Sequence, residues 1–166
     1  MDNQEFYWRT LMKNVEWIKF SEAKAIFLLT LYGVIITIIY SNSKDIYTAF
    51  QSSGSLVFLT VLAVLMSCGS LIYCFLALNP VLKNNDPSSI IYFGHIRSKF
   101  KSSEEYRLHA EEVLKNEEQF IQNITEQIFQ TSKIAWRKFK FISIGLRFFI
   151  AAIGFLIIEI GAYLSL

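Results

Sequence analysis

Hydrophobic and polar positions along the chain fall into three long apolar stretches separated by polar ones. No charge occurs from Ala25 to Ser43, and Ala25–Tyr40 is almost wholly apolar. A second uncharged stretch runs from Ile46 to Leu82, with its apolar heart at Ser55–Leu78. As a helix, those residues would measure about 36 Å, enough to cross a hydrocarbon core of roughly 30 Å. The third stretch, 141–166, carries only Arg147 and Glu159. The pattern predicts an all-α integral membrane protein with spans at 25–43, 55–78 and 141–166.

The polar intervals have patterns of their own. In residues 1–24, Trp8, Leu11, Met12, Val15 and Ile18 recur at helical spacing opposite Arg9, Lys13 and Glu16. That is an amphipathic helix, lying either on the membrane interface or against the protein's own polar segment. Both charge signs mix there, so the stretch does not read as a secretory signal. The interval 79–140 opens on Asn79-Pro80, which ends the second span. The run 84–89 reads as a turn by composition, and Ile90–Phe93 as a short strand or helix. Ser102 with Glu105 makes a capping box. With no Gly or Pro between Ser102 and Gly145, one helix is expected to run unbroken into the third span.

Charge sets the orientation. Four basic residues precede the first span, Lys44 alone lies between the first two, and ten of the sixteen fall within 79–140. The N-terminus and 79–140 are therefore expected in the cytoplasm and the C-terminus outside. The overall charge of +2 is too balanced for a nucleic-acid binder. No phosphate-cradling glycine loop or nucleophile elbow occurs, and His95 and His109 are badly spaced for a metal pair. No enzymatic activity, cofactor or metal is expected. Asn123-Ile124-Thr125 matches a glycosylation sequon, but it falls on the expected cytoplasmic side.

Within the second span, Thr60, Ala63, Ser67, Ser70, Cys74 and Ala77 recur at spacings alternating between three and four. Small side chains in such a stripe let another helix approach closely, whether the chain's own third span or another copy. Arg147 lies close enough to the polar interval to snorkel to the inner surface. A carboxylate at the bilayer centre costs about 3 kcal/mol, so Glu159 either has a function or reaches the outer interface.

Three motifs then carry a resemblance. Trp17-Ile18-Lys19-Phe20-Ser21-Glu22-Ala23-Lys24-Ala25, Ser89-Ile90-Ile91-Tyr92-Phe93-Gly94-His95-Ile96 and Gln127-Ile128-Phe129-Gln130-Thr131-Ser132-Lys133-Ile134-Ala135, the last followed by Arg137-Lys138-Phe139, resemble in content and order the motifs of the Pycsar transmembrane effectors. Ser21-Glu22 stands where Ala-Asp is more usual in that family, and Arg97 where a small residue is. The resemblance implies a bacterial anti-phage effector of the inner membrane, linked to a nucleotide cyclase. A cyclic pyrimidine mononucleotide (cCMP or cUMP) would activate it to disrupt the membrane as a homo-oligomer. The competing expectation is a passive scaffold or accessory subunit of a larger membrane complex. For the nucleotide, Tyr92 and Phe93 offer flat faces, His95 and Arg97 offer donors, and Gly94 permits close approach. Gln127 and Lys133, from the third motif, would complete the site across a helix pair or a protomer boundary.

Overall fold

A computed structural model describes residues 3–80 and 89–164. Among them the chain forms six helices and no strand: α1 (Asn3–Ser41), α2 (Ser43–Ser52), α3 (Gly54–Leu78), α4 (Phe93–Lys99), α5 (Ser103–Lys115) and α6 (Glu117–Leu164). Helices α1, α3 and α6 are long and apolar enough to cross a membrane. Of the expected turn at 84–89, all but Ser89 lies outside the described residues.

The breaks between helices have local causes. At the end of α1 the Asn42 side chain donates to the Ile38 carbonyl at 2.8 Å, closing the last turn. Ser53, extended at φ −153° and ψ 120°, separates α2 from α3. Asn79 leaves the helical region at ψ 126° because the following Pro80 disfavours it there. Lys24 does not interrupt α1, since a lysine is a good helix former wherever the apolar stretch happens to begin.

One expectation is corrected. The helix expected to run unbroken from Ser102 to Gly145 is divided at Asn116, whose backbone (φ −107°, ψ 102°) is extended. Its side-chain oxygen accepts from the Gln119 amide at 3.2 Å, so Asn116 starts a new helix where only Gly and Pro had been considered breakers. The capping box at Ser102 forms, with the hydroxyl accepting from the Glu105 amide at 3.2 Å. The Glu105 carboxylate reaches back one residue further than usual, to the Lys101 amide at 2.9 Å.

The chain divides into two compact units, 1–19 with 80–137 and 20–79 with 138–166, and the boundaries fall inside α1 and α6. In the first unit Leu11, Ile90, Val113, Ile124 and Ala135 are buried. Asn14 ties α1 to α6 there, donating to the Ile128 carbonyl at 3.0 Å and to Thr131 Oγ1 at 3.3 Å. Of the expected N-terminal stripe, Leu11 is buried and Val15 and Ile18 are half-buried, whereas Trp8 and Met12 are exposed. In the second unit Ala25, Leu28, Cys74, Ala77 and Ile142 form the core, with Phe141 and Phe149 packed against it. Large aliphatic residues such as Ile26, Val34, Val64 and Ile157 point outward, the arrangement expected where the solvent is lipid.

Candidate functional site

The segment that leads into α4 is held by its backbone. Ser89–Ile91 makes a turn, with the Tyr92 amide donating to the Ser89 carbonyl at 3.1 Å. The Ile90 amide donates to Asn123 Oδ1 at 3.2 Å, and the Ile90 carbonyl accepts from the Tyr106 hydroxyl at 3.1 Å. Asn123 of the sequon thus positions a turn. Ile90–Phe93, open between strand and helix in the sequence, is this turn followed by the first residue of α4. Phe100 closes α4 among the rings of His95, Tyr106 and His109, at centroid distances of 6.0, 5.4 and 5.3 Å.

The residues expected at a nucleotide site are distributed as follows. Tyr92 is half-buried and Phe93 is 68% exposed, with ring centroids 4.9 Å apart. A Cβ on Gly94 would come within 2.6 Å of the Tyr92 ring, so glycine lets that ring fold over the helix start. His95 is half-buried, and Arg97 is exposed in the last turn of α4. On α6 Gln127 is half-buried, with its Oε1 shielded from solvent and lacking a donor. Lys133 is exposed, its ammonium 4.0 Å above the ring of Phe129 one turn earlier. Tyr92 immediately precedes α4 and Phe93 to Arg97 lie on it, while Gln127 and Lys133 are on α6. Nearby on α5, Arg107 bonds Glu104 at 2.6 Å and also Glu111; these carboxylates, Glu104 foremost, hold its guanidinium further above its usual range. Among the described residues no three His, Cys, Asp or Glu side chains are grouped to hold a metal ion.

In the second unit, polar side chains meet between helices. Ser70, fully buried, donates to the Gly145 carbonyl at 2.9 Å, so the small-residue stripe of α3 lies against α6 at this point. Ala63, Cys74 and Ala77 are also buried, whereas Ser67 and Thr60 are half-buried. A Cβ on Gly145 would meet Tyr73 Cβ at 3.3 Å and the Ser70 carbonyl at 3.4 Å; the missing side chain makes this close approach possible. Glu159 Oε1 accepts from the Thr60 hydroxyl at 2.5 Å, and its Oε2 is buried without a donor. Arg147 is exposed.

One contact escaped sequence reasoning. Lys138 Nζ lies 2.6 Å from Glu22 Oε1, with the lysine side chain 4% exposed and the glutamate 36%. Lys138 sits in a run of basic residues that reads as a solvated face, and only the helical phase relative to Ala135 and Ile142, both buried, would have turned it inward. Glu22 and Lys138 are residues of the first and last motifs.

A family model described as the Pycsar effector protein domain matches residues 6–165. The chain belongs to this family. No curated protein and no solved structure matches it. Membership in the Pycsar effector family gives the chain a role as a transmembrane effector in Pycsar anti-phage defence. The three apolar helices make this family member a multi-pass membrane protein.

Proposed function

We propose that a cyclic pyrimidine mononucleotide, made by a partner cyclase during infection, binds the first unit and drives the chain, as a homo-oligomer, to permeabilise the bacterial inner membrane. Gln127 carries the nucleotide part of this reading. It lies in a family motif, and its buried Oε1 lacks a donor, which a pyrimidine ring can supply through N–H. Tyr92 and Phe93 provide stacking faces, and Arg97 and Lys133 the cations for the cyclic phosphate. Helix α6 bears Gln127 and Lys133 and continues to Glu159, which makes it the path by which binding reaches the membrane. The ligand acts only through binding the open arrangement better than the closed one. In the open arrangement Glu159 parts from Thr60 and faces water. The basic-residue asymmetry supports a cytoplasmic N-terminus and first unit.

Calorimetry of the purified protein against a panel of cyclic mono- and oligonucleotides tests the ligand. Arg97→Ala and Lys133→Ala are expected to weaken binding at least tenfold and leave membrane insertion intact; unchanged affinity in both removes this site. Proteoliposome efflux with and without nucleotide tests the output. Reporter fusions at residues 50, 110 and 164 test topology, with the middle one alone active in the cytoplasm.

A further inference from the structure

The second unit holds a partly open cavity of about 390 Å³ between α1, α2, α3 and α6. Its walls are aliphatic, chiefly Ile35, Ile38, Ile39, Ile46, Leu156 and Ile160. Two carboxyl groups, Asp45 and Glu159, also line it, and no basic side chain does. Asp45 is exposed and Glu159 half-buried, which puts one acid on the wet side and the other within.

Counting donors shows what the cavity lacks. Thr60 has a single hydroxyl hydrogen and two acceptors in reach, the Leu56 carbonyl at 2.9 Å and Glu159 Oε1 at 2.5 Å. It therefore serves the carboxyl group incompletely, and Oε2 is buried with no donor at all. A carboxyl group short of donors within aliphatic walls fits a molecule with an N–H-rich cationic head and a hydrocarbon tail. A primary ammonium brings three donors, enough for Oε2 with others left for Asp45 or water. Water alone would supply a donor to Oε2 but would leave the aliphatic walls wetted. Because three of the four walls are membrane-crossing helices, the tail comes from the bilayer.

We propose that this cavity binds a phospholipid bearing a primary ammonium, such as phosphatidylethanolamine, with its head on Glu159 and part of one acyl chain along the isoleucine walls. The lipid occupies the closed arrangement, in which Glu159 meets Thr60, and binds there without nucleotide. It makes the lipid a component of the folded second unit, bound where α2 covers the ends of the spans.

The test uses the full chain in vesicles of equimolar phosphatidylethanolamine and phosphatidylglycerol, released into detergent and weighed intact by native mass spectrometry. One phosphatidylethanolamine per chain is expected to be retained about tenfold over phosphatidylglycerol. Glu159→Gln, nearly the same size, is expected to bring the ratio to parity, and Ile38→Trp to lower retention of both by filling the cavity. Circular dichroism melting checks that each variant is folded. Added dodecylamine is expected to displace the lipid and dodecanol to leave it bound. Equal retention of the two lipids by the parent, an unchanged ratio in folded Glu159→Gln, or displacement by dodecanol as readily as by dodecylamine overturns the site. Loss of a dimer in Ile38→Trp with lipid retention unchanged also overturns it, because a second copy then covers the cavity.

Discussion

Replacing Glu22 by leucine removes the partner of an ammonium group that is almost wholly enclosed. Lys138 is 4% exposed, and its nitrogen is 2.6 Å from the Glu22 carboxylate. Breaking a buried pair from one side costs about 3–5 kcal/mol, because a charge is left without water or partner. The lysine stem allows some relief by snorkelling, which puts the expected loss near the lower end, about 3 kcal/mol. Removing the other partner is a different perturbation. Glu22 is 36% exposed, so in Lys138→Met its carboxylate keeps water, and the loss is expected to be about 1 kcal/mol, as for exposed pairs. Glu22→Leu with Lys138→Met leaves no orphan charge and is expected to lie within about 1 kcal/mol of the parent.

The order of stability is therefore parent and double variant together, then Lys138→Met, then Glu22→Leu. Unfolding of the purified protein in mixed micelles, followed by circular dichroism and by pulse proteolysis, measures all four corners of the cycle. Equal losses in the two single variants would refute the assignment of unequal burial. A double variant as unstable as Glu22→Leu would show that the two residues do not act as a pair.

Other perturbations separate the remaining contacts. Ser70→Leu and Gly145→Leu each force a side chain between helices joined by a 2.9 Å hydrogen bond; a loss of about 1–3 kcal/mol is expected in the same unfolding assay, against almost none for Val64→Leu on the exposed side. The Tyr32 hydroxyl is buried without a partner, so Tyr32→Phe is expected to raise stability by up to about 1 kcal/mol; a clear loss would reveal a partner for it. Two glycines inserted after Lys115 fall at an existing break and are expected to leave nucleotide-dependent efflux intact. The same insertion after Trp136, inside α6, is expected to abolish efflux while binding survives; equal efflux from both would show that α6 does not transmit the signal.

The three spans were legible because apolar length is a property of composition, which lipid reads directly. The family was legible from motifs that retain their order along the chain. What was not legible depends on phase and capping. Asn116 divides α5 from α6 through one side-chain hydrogen bond, and a residue permissive enough to sit inside a helix gives no warning of it. Lys138 belongs by type to the solvated basic run Arg137-Lys138-Lys140, yet its angular position points it at Glu22. The partner of the small-residue stripe was open because close packing needs only small side chains and does not name the helix opposite. The Ser70 bond to Gly145 identifies that helix as α6. The nucleotide residues read from the motifs fall at α4 and on α6, so the expected helix pair is identified but not whether the two groups meet within one chain or across a protomer boundary.

In the second unit three polar contacts between different spans share one helix. Glu22 of α1, and Thr60 and Ser70 of α3, all reach partners on α6. Interhelical hydrogen bonds in membranes average only about 0.6 kcal/mol each, because separated helices find other partners or water. The large loss expected in Glu22→Leu does not contradict this, since it measures an orphaned charge and not the value of the intact pair. If α6 shifts and all three contacts open to water together, the opposing free energy is only about 2 kcal/mol from these bonds, plus the packing lost. A ligand needs roughly 5.5 kcal/mol of differential affinity to carry a two-state equilibrium from one part in a hundred to ninety-nine. One charged phosphate contact at about 1.5–3 kcal/mol and one neutral base contact at about 0.5–1.5 kcal/mol fall short of this alone, and stacking of the base at about 1–3 kcal/mol brings the sum to that order. A helix tied by several weak contacts, with none of them strong, is thus within reach of a single small anion.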